Sequence, residues 1–195
     1  MNTVTRIVAL AALALAVTAC SQKDPAAEAI TAAEGALAVV YDDAQKYLPE
    51  RYAEVKAELD AGRKAFDEER YADAITAVKD VPAHAEALSK EVVAAKQKKL
   101  SELNADWARL SGSLPGLMTN IGARLAELGK MRRLPEGMDK QLLDEANAAH
   151  ASANAAWDEA GQAFSAGDLE TAVAKARDAE GTAQDLVARL GMQAG

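Results

Sequence analysis

Two histidines and one cysteine are the only imidazole and thiol groups in this sequence. A di-iron helical bundle needs a glutamate three residues before a histidine on each of two helices. Val81 and Asn147 stand at those places before His84 and His150. Asp80 lies four residues before His84, a spacing that on a helix more often gives a solvated contact than a ligand pair. The sequence therefore predicts no metal site and no bound cofactor.

The remaining groups that could do chemistry are carboxylates, which stand in adjacent pairs such as Asp42-Asp43 and Asp144-Glu145. Adjacent residues of a helix do not face each other, so these pairs are typical of solvated surfaces. The sequence has neither a Gly-x-Ser-x-Gly nucleophile turn nor a glycine-rich phosphate loop. We therefore predict no catalytic residues and no enzyme activity. The formal charge of -8 argues against nucleic-acid binding, which needs a basic surface.

The single cysteine follows a segment that is typical of a secretory signal. Arg6 supplies a positive charge, and residues 7–17 form an apolar run that is too short to cross a bilayer. Val17-Thr18-Ala19-Cys20 resembles the lipobox of bacterial lipoproteins. The resemblance implies cleavage before Cys20 and acylation of its thiol and its new amine, which would anchor the protein in a membrane. An ordinary cleaved signal with an unmodified cysteine is the alternative.

This resemblance divides the chain into a cleaved signal over residues 1–19 and a lipidated cysteine with a short tether over residues 20–24. Because Ser21 and not aspartate follows the cysteine, the resemblance implies the outer membrane, facing the periplasm, in a host that has one. Beyond the tether we expect two helical segments, 25–97 and 98–195, each with one hairpin. We expect the two segments to pack as one unit.

The rest of the sequence indicates helices throughout. Alanine makes up about a quarter of the residues, and apolar residues recur at spacings of three and four with no strand-like alternation. The sequence predicts an all-α fold, either a helical bundle or a short helical-repeat array of about six to seven helices. Prolines and glycines predict the boundaries. We expect helices to begin at Asp24-Pro25, at Leu114-Pro115 after a break at Ser111-Gly112-Ser113, at Leu134-Pro135 and at Asp168, and Pro82 to kink or break another.

An internal repeat is the most informative feature of the helical part. Phe66, Tyr71 and Leu88 match Phe164, Leu169 and Leu186, and each pair is separated by 98 residues. The constant offset predicts two related helical hairpins. The second copy, with Gly167-Asp168 at its corner, resembles the inter-helix corner of a tetratricopeptide repeat, whereas the first copy has Glu69-Arg70 there. The wider pattern also resembles uncharacterised alanine-rich helical lipoproteins of bacteria, a resemblance that implies no activity.

These features favour a lipid-anchored helical scaffold or adaptor that faces the periplasm and acts by protein contact. Its expected partners are the membrane, through the acyl chains on Cys20, and an envelope protein, while alanine-rich faces could favour self-association. Lys96, Lys98 and Lys99 form a basic run that could contact anionic lipid or cell-wall polymer. The candidate interaction surface consists of the large side chains at the two hairpin corners, which are Phe66, Tyr71, Phe164 and Leu169.

The alternative function is a small-ligand-binding bundle of the envelope, for a lipid or a cell-wall fragment. Its cavity would be lined by Trp107, Trp157, Met118 or Met138. Aromatic residues at helical spacing belong more often to a core than to a cofactor pocket. Tryptophans that open onto a cavity would therefore favour the ligand-binding alternative over the adaptor.

Overall fold

A computed structural model describes the backbone of residues 3–192 and the side chains of residues 22–192. Within that part the regular structure is entirely α-helical, which confirms the predicted all-α class. The chain divides into two compact units, the first ending at Lys98 and the second beginning at Lys99. The helices are α1 (Thr3–Tyr47), α2 (Pro49–Asp67), α3 (Tyr71–Val78), α4 (Val81–Lys130), α5 (Lys140–Ser165) and α6 (Leu169–Arg189).

The first unit consists of α1, α2, α3 and the beginning of α4. The chain turns at Leu48, whose φ of -143° is not helical, because a residue before proline is disfavoured in the helical region. Pro49 then occupies the first turn of α2, where its missing N–H costs nothing. The predicted inward faces of both helices are confirmed, since their buried side chains are Ile30, Ala33, Leu37, Val40 and Ala44 of α1 and Tyr52, Val55 and Leu59 of α2.

The close approach of α2 to α3 depends on Gly62. A Cβ atom added there would lie 2.2 Å from Cγ1 of Val78 and 3.3 Å from the carbonyl oxygen of Ala74. In the second copy of the hairpin the equivalent residues, 98 positions later, are Ala160 and Ala176, and both are fully buried. The first copy therefore combines glycine with valine where the second combines two alanines, which keeps the total side-chain volume of the crossing similar.

The second unit consists of the rest of α4 together with α5 and α6. Asp139 caps α5 by accepting a hydrogen bond from the N–H of Leu142 at 2.8 Å, and Asp168 caps α6 in the same way from Thr171 at 3.0 Å. The buried side chains that α4 contributes recur every three or four residues, which gives one continuous apolar face. They are Leu114, Met118, Ile121, Leu125 and Leu128.

The two hairpin corners have the same backbone hydrogen bonds. After α2 the N–H of Glu69 donates to the carbonyl of Phe66 and that of Arg70 donates to Ala65. After α5 the bonds run from Gly167 to Phe164 and from Asp168 to Ala163, each shifted by 98 residues. Both are Schellman motifs, which require a left-handed residue after the helix, and φ is 61° at Glu69 and 83° at Gly167. The prediction of two related hairpins is confirmed.

The expected break at Ser111-Gly112-Ser113 and the new helix at Leu114-Pro115 are wrong, because α4 continues through both. Leu110 and Leu114 on either side are buried, so packing outweighs weak local propensity. The hydroxyl of Ser113 donates to the carbonyl of Arg109 at 3.0 Å, a bond within the helix. Pro115 is exposed, and so its ring adds no bulk to the core.

Two other expected helix starts are also wrong. Pro25 lies inside α1 and does not begin it, because proline can kink a helix without ending it and the residues that follow are alanines, the strongest helix formers. The start expected at Leu134-Pro135 falls instead at Lys140. Gly137 has a φ of +81°, which a helix cannot accommodate, so the chain first makes a turn. The break near Pro82 is confirmed, since α3 ends at Val78 and α4 begins at Val81.

Candidate interaction surfaces

The predicted surface residues of the first unit are half-buried and hold its corner together. Phe66 and Tyr71 pack edge to face, with ring centroids 5.3 Å apart and planes inclined at 67°. Both rings also contact the core of the first unit. An aromatic pair of this kind contributes about 0.5–1.5 kcal/mol beyond the area it buries. Tyr71 is therefore chiefly structural, whereas Phe66 also borders a cleft.

In the second unit Phe164 is the exposed corner residue, with 45% of its surface accessible. Its ring stacks on Trp107 at a centroid distance of 4.4 Å, and Trp107 in turn stacks on Trp157 at 5.6 Å. Trp157 and Phe164 are seven residues apart on α5, about 10.5 Å, so they cover opposite faces of the Trp107 indole. Leu169 is half-buried and packs beside this stack.

The arrangement bears on the cavity that the ligand-binding alternative requires. Trp107 and Trp157 fill the space between α4 and α5 with each other, and Met118 is buried in the core. Met138 does line a cleft of about 230 Å³, together with Arg124 and Arg189. Trp107, Trp157 and Met118 are not among the residues that line this cleft.

A groove between α1 and α2 is the main feature that sequence reasoning missed. It consists of two adjoining clefts of about 310 Å³ each. Glu34 and Arg63 line both clefts, and the Arg63 guanidinium donates two hydrogen bonds to Oε1 of Glu34, at 2.8 and 2.9 Å. We call these two clefts the α1–α2 groove. Glu34 and Arg63 are 29 residues apart, and no short sequence motif indicates a contact at that distance.

Aromatic rings stand at both ends of the α1–α2 groove. Tyr41, which is half exposed, packs edge to face on Tyr52 at 5.5 Å at one end, and Phe66 lines the other. On α1 the groove extends from Ala27 to Tyr41, fourteen residues, or about 21 Å. This length matches about four turns of a helix.

Ion pairs neutralise both cations that line this groove, Arg63 and Lys56. The hydrogen bond to Glu34 raises the pKa of Arg63 above its ordinary value, so the guanidinium stays charged and paired. Lys56, which also lines the groove, pairs with Asp60 on the same helix. Exposed pairs of this kind contribute little stability. Their effect is to neutralise Glu34, Arg63 and Lys56, while Asp67, which lines the cleft over Ile30, adds a carboxylate at that end.

Charged contacts also join α4 to α6 in the second unit. Arg109 hydrogen-bonds Glu180, which lowers the pKa of the Glu180 carboxyl below its ordinary value. Arg177 pairs with Asp106 one turn away. Both pairs link residues 71 positions apart, and no short sequence motif indicates a contact at that distance.

Both histidines have structural contacts. Nδ1 of His84 lies 2.9 Å from Oε2 of Glu58 on α2, so the partner of His84 is not the neighbouring Asp80. Nε2 of His150 donates to the carbonyl oxygen of Met118 at 3.0 Å. Among residues 22–192 no group of three or more histidine, cysteine or acidic side chains is placed to hold a metal ion.

The basic run is partly engaged in packing. Lys96 pairs with Asp43 of α1 at 2.7 Å and lies over the ring of Tyr47, 5.6 Å from its centroid. Its ammonium therefore joins α4 to α1 within the first unit. A surface for anionic polymers would have to compete with these two contacts.

The lipobox cysteine, Cys20, lies outside the residues whose side chains the structure describes. Over the described part, none of the helices has a stretch apolar and long enough to span a bilayer. Comparison with known protein families, with curated proteins and with solved structures finds no match for this chain.

Proposed function

We propose that this protein is a lipid-anchored helical adaptor of the bacterial envelope, which faces the periplasm and acts by binding another protein. The observation that carries the binding role is the α1–α2 groove, an apolar channel about four helical turns long with paired charges along its rim. Grooves of this kind accept the apolar face of an amphipathic helix. The lipobox at Val17–Cys20 supports the anchor, and the absence of aspartate after Cys20 supports the outer membrane.

The anchor is tested by replacing the cysteine. Cys20→Ser removes the thiol that would carry lipid, so we expect the variant to carry no acyl group and to keep its signal peptide uncleaved. Mass spectrometry of the native N-terminal peptide should then show a modified cysteine as its first residue in the unaltered chain. An unmodified Cys20 in protein purified from membranes would reject the anchor.

The binding role is tested with a charge placed in the groove. Ala38 is exposed and lines the groove between Leu37 and Tyr41, so Ala38→Lys should not disturb the core. Ala87→Lys, at another exposed helical alanine, is the matched control. We expect affinity capture from crosslinked membranes to recover one dominant protein with the unaltered chain and with Ala87→Lys, and to lose it with Ala38→Lys. Equal recovery by both variants would reject the groove as the binding surface.

A further inference from the structure

The two units have side chains of different size at one equivalent position, and this difference indicates which kind of side chain the α1–α2 groove accepts. The buried residues Ile30, Ala33, Leu37 and Ala44 of α1 correspond to Trp107, Leu110, Leu114 and Ile121 of α4, with a constant offset of 77 residues. Within each set the spacing is three, four and seven, and every member except the half-buried Trp107 is buried. Ile30 therefore stands where the second unit has a tryptophan.

In the second unit this tryptophan fills an aromatic slot. The Trp107 indole is held between Trp157 and Phe164, whose ring planes lie within 15° and 10° of its own. By the hairpin offset of 98 residues, the equivalents in the first unit are Leu59 and Phe66. The first unit thus keeps an apolar side chain at each wall of the slot.

The indole itself has no counterpart in the first unit. Isoleucine is much smaller than tryptophan, and a cleft of about 310 Å³ lies over Ile30, bordered by Phe66 and Arg63. This volume is at the lower end of the range typical of ligand pockets. The cleft therefore has the place of the slot that the second unit closes with its own side chain, and Phe66 is one wall of it, while Leu59 lines the adjoining cleft.

We propose that this cleft receives an aromatic side chain, an indole or phenyl ring, from an amphipathic helix of the partner protein. The inference rests on the proposed adaptor function and names the chemistry of its partner. The second cleft of the groove lies over Leu37, seven residues or about 10.5 Å along α1. A partner helix can reach both clefts with an aromatic residue and an apolar residue seven positions apart.

The charges around the groove support an uncharged contact face on the partner. Arg63 is held by Glu34 at 2.8 Å, and Lys56 is paired with Asp60. Asp67 also lines the cleft over Ile30, and its carboxylate can pair with a cationic residue at that end of the partner helix. Elsewhere along the groove, a charged residue on the partner's contact face would have to break one of these pairs or be desolvated without a partner. The ring is therefore expected on an apolar stripe, with charges on the partner's outer face.

The test uses N-acetyl-tryptophanamide as the aromatic probe and N-acetyl-leucinamide as the apolar control. Saturation-transfer NMR on the full purified chain measures contact of each probe with the protein. Ile30→Trp should fill the cleft from within and reduce the tryptophanamide signal to that of the leucine control. Val39→Trp is the matched control, because Val39 is 86% exposed on α1 and does not line the groove, and it should leave the signal unchanged. Ile30→Phe provides a smaller filling residue if the tryptophan variant does not fold.

The outcomes separate this inference from the function on which it rests. An equal signal in Ile30→Trp and Val39→Trp, or no signal above the leucine control in the unaltered chain, overturns the aromatic slot. If Ala38→Lys still abolishes capture of the partner in that case, the adaptor function stands and only the partner's chemistry is wrong. If Ala38→Lys leaves capture unchanged, the groove is not the binding surface, and the site proposed for the adaptor function fails together with the aromatic slot.

Discussion

The hairpin corners allow a stringent test, because one copy has glycine at a left-handed position and the other has glutamate. At Glu69, φ is 61°, a conformation that costs a residue with a Cβ atom about 1–2 kcal/mol. Glycine avoids this strain but gives the unfolded chain extra freedom, which costs about 0.4–1 kcal/mol. We therefore expect Glu69→Gly to stabilise the first unit by about 0.5–1 kcal/mol. Gly167→Ala should destabilise the second unit by a similar amount.

The predicted loss at Gly167 comes from the backbone alone. A Cβ atom added there meets no other heavy atom within 4 Å, so steric overlap does not contribute. Both tryptophans are in the second unit, and their fluorescence during urea unfolding measures the effect of Gly167→Ala. Hydrogen exchange of peptides from α2 and α3 measures the effect of Glu69→Gly.

Glu68→Gly is the matched control for the first corner. Glu68 is the adjacent residue, but its φ of -83° is one that any residue adopts, so glycine there should destabilise. If Glu69→Gly and Glu68→Gly changed stability in the same direction, the left-handed strain at Glu69 would not be the cause. Stabilisation by Gly167→Ala would refute the same reasoning in the second copy.

Three further predictions follow from packing and charge. Gly62→Ala should destabilise the first unit by about 1–3 kcal/mol because its methyl overlaps Val78, and adding Val78→Ala should recover much of that loss in thermal melts. Arg109→Gln should raise the folded-state pKa of Glu180. In the unaltered chain the lowered pKa of this carboxyl gives stability that is present above pH 4.5 and is lost as the pH falls. Acid unfolding followed by tryptophan fluorescence should then begin at a higher pH than in the unaltered chain. Sedimentation of the lipid-free chain should show concentration-dependent association, and a monomer at all concentrations would exclude self-association.

The inward faces and the repeat were predictable because each depends on spacing along the chain. Ile30 and Leu37 lie at a helical interval on α1, and Leu59 belongs to the similar apolar pattern of α2. An apolar face with that period must pack against neighbouring helices. The corner of the first copy was less evident, since Glu69 gives no sign of the left-handed conformation that Gly167 indicates. The offset of 98 residues was the stronger signal, because it placed both residues at the same point of the motif.

The helix boundaries were predicted wrongly where local sequence signals for a helix break compete with the packing of buried side chains. Ser111-Gly112-Ser113 is a strong breaker in isolation, but the buried Leu110 and Leu114 beside it hold the helix. The α1–α2 groove was missed for another reason. It depends on the size of the side chain at Ile30 relative to a site on another helix, and neither periodicity nor composition records that relation.

If a partner protein lies along the α1–α2 groove, site-specific photo-crosslinking in cells will detect it at the positions that line the groove. A photoreactive amino acid is placed in turn at Ala27, Thr31 and Ala38, which line the groove, and at Ala32 and Val39, which are exposed on α1 but do not line it. We predict that the three groove positions crosslink to the same protein and that the other two do not. Crosslinks of equal yield at all five positions, or at none, would show that no partner protein lies in the groove.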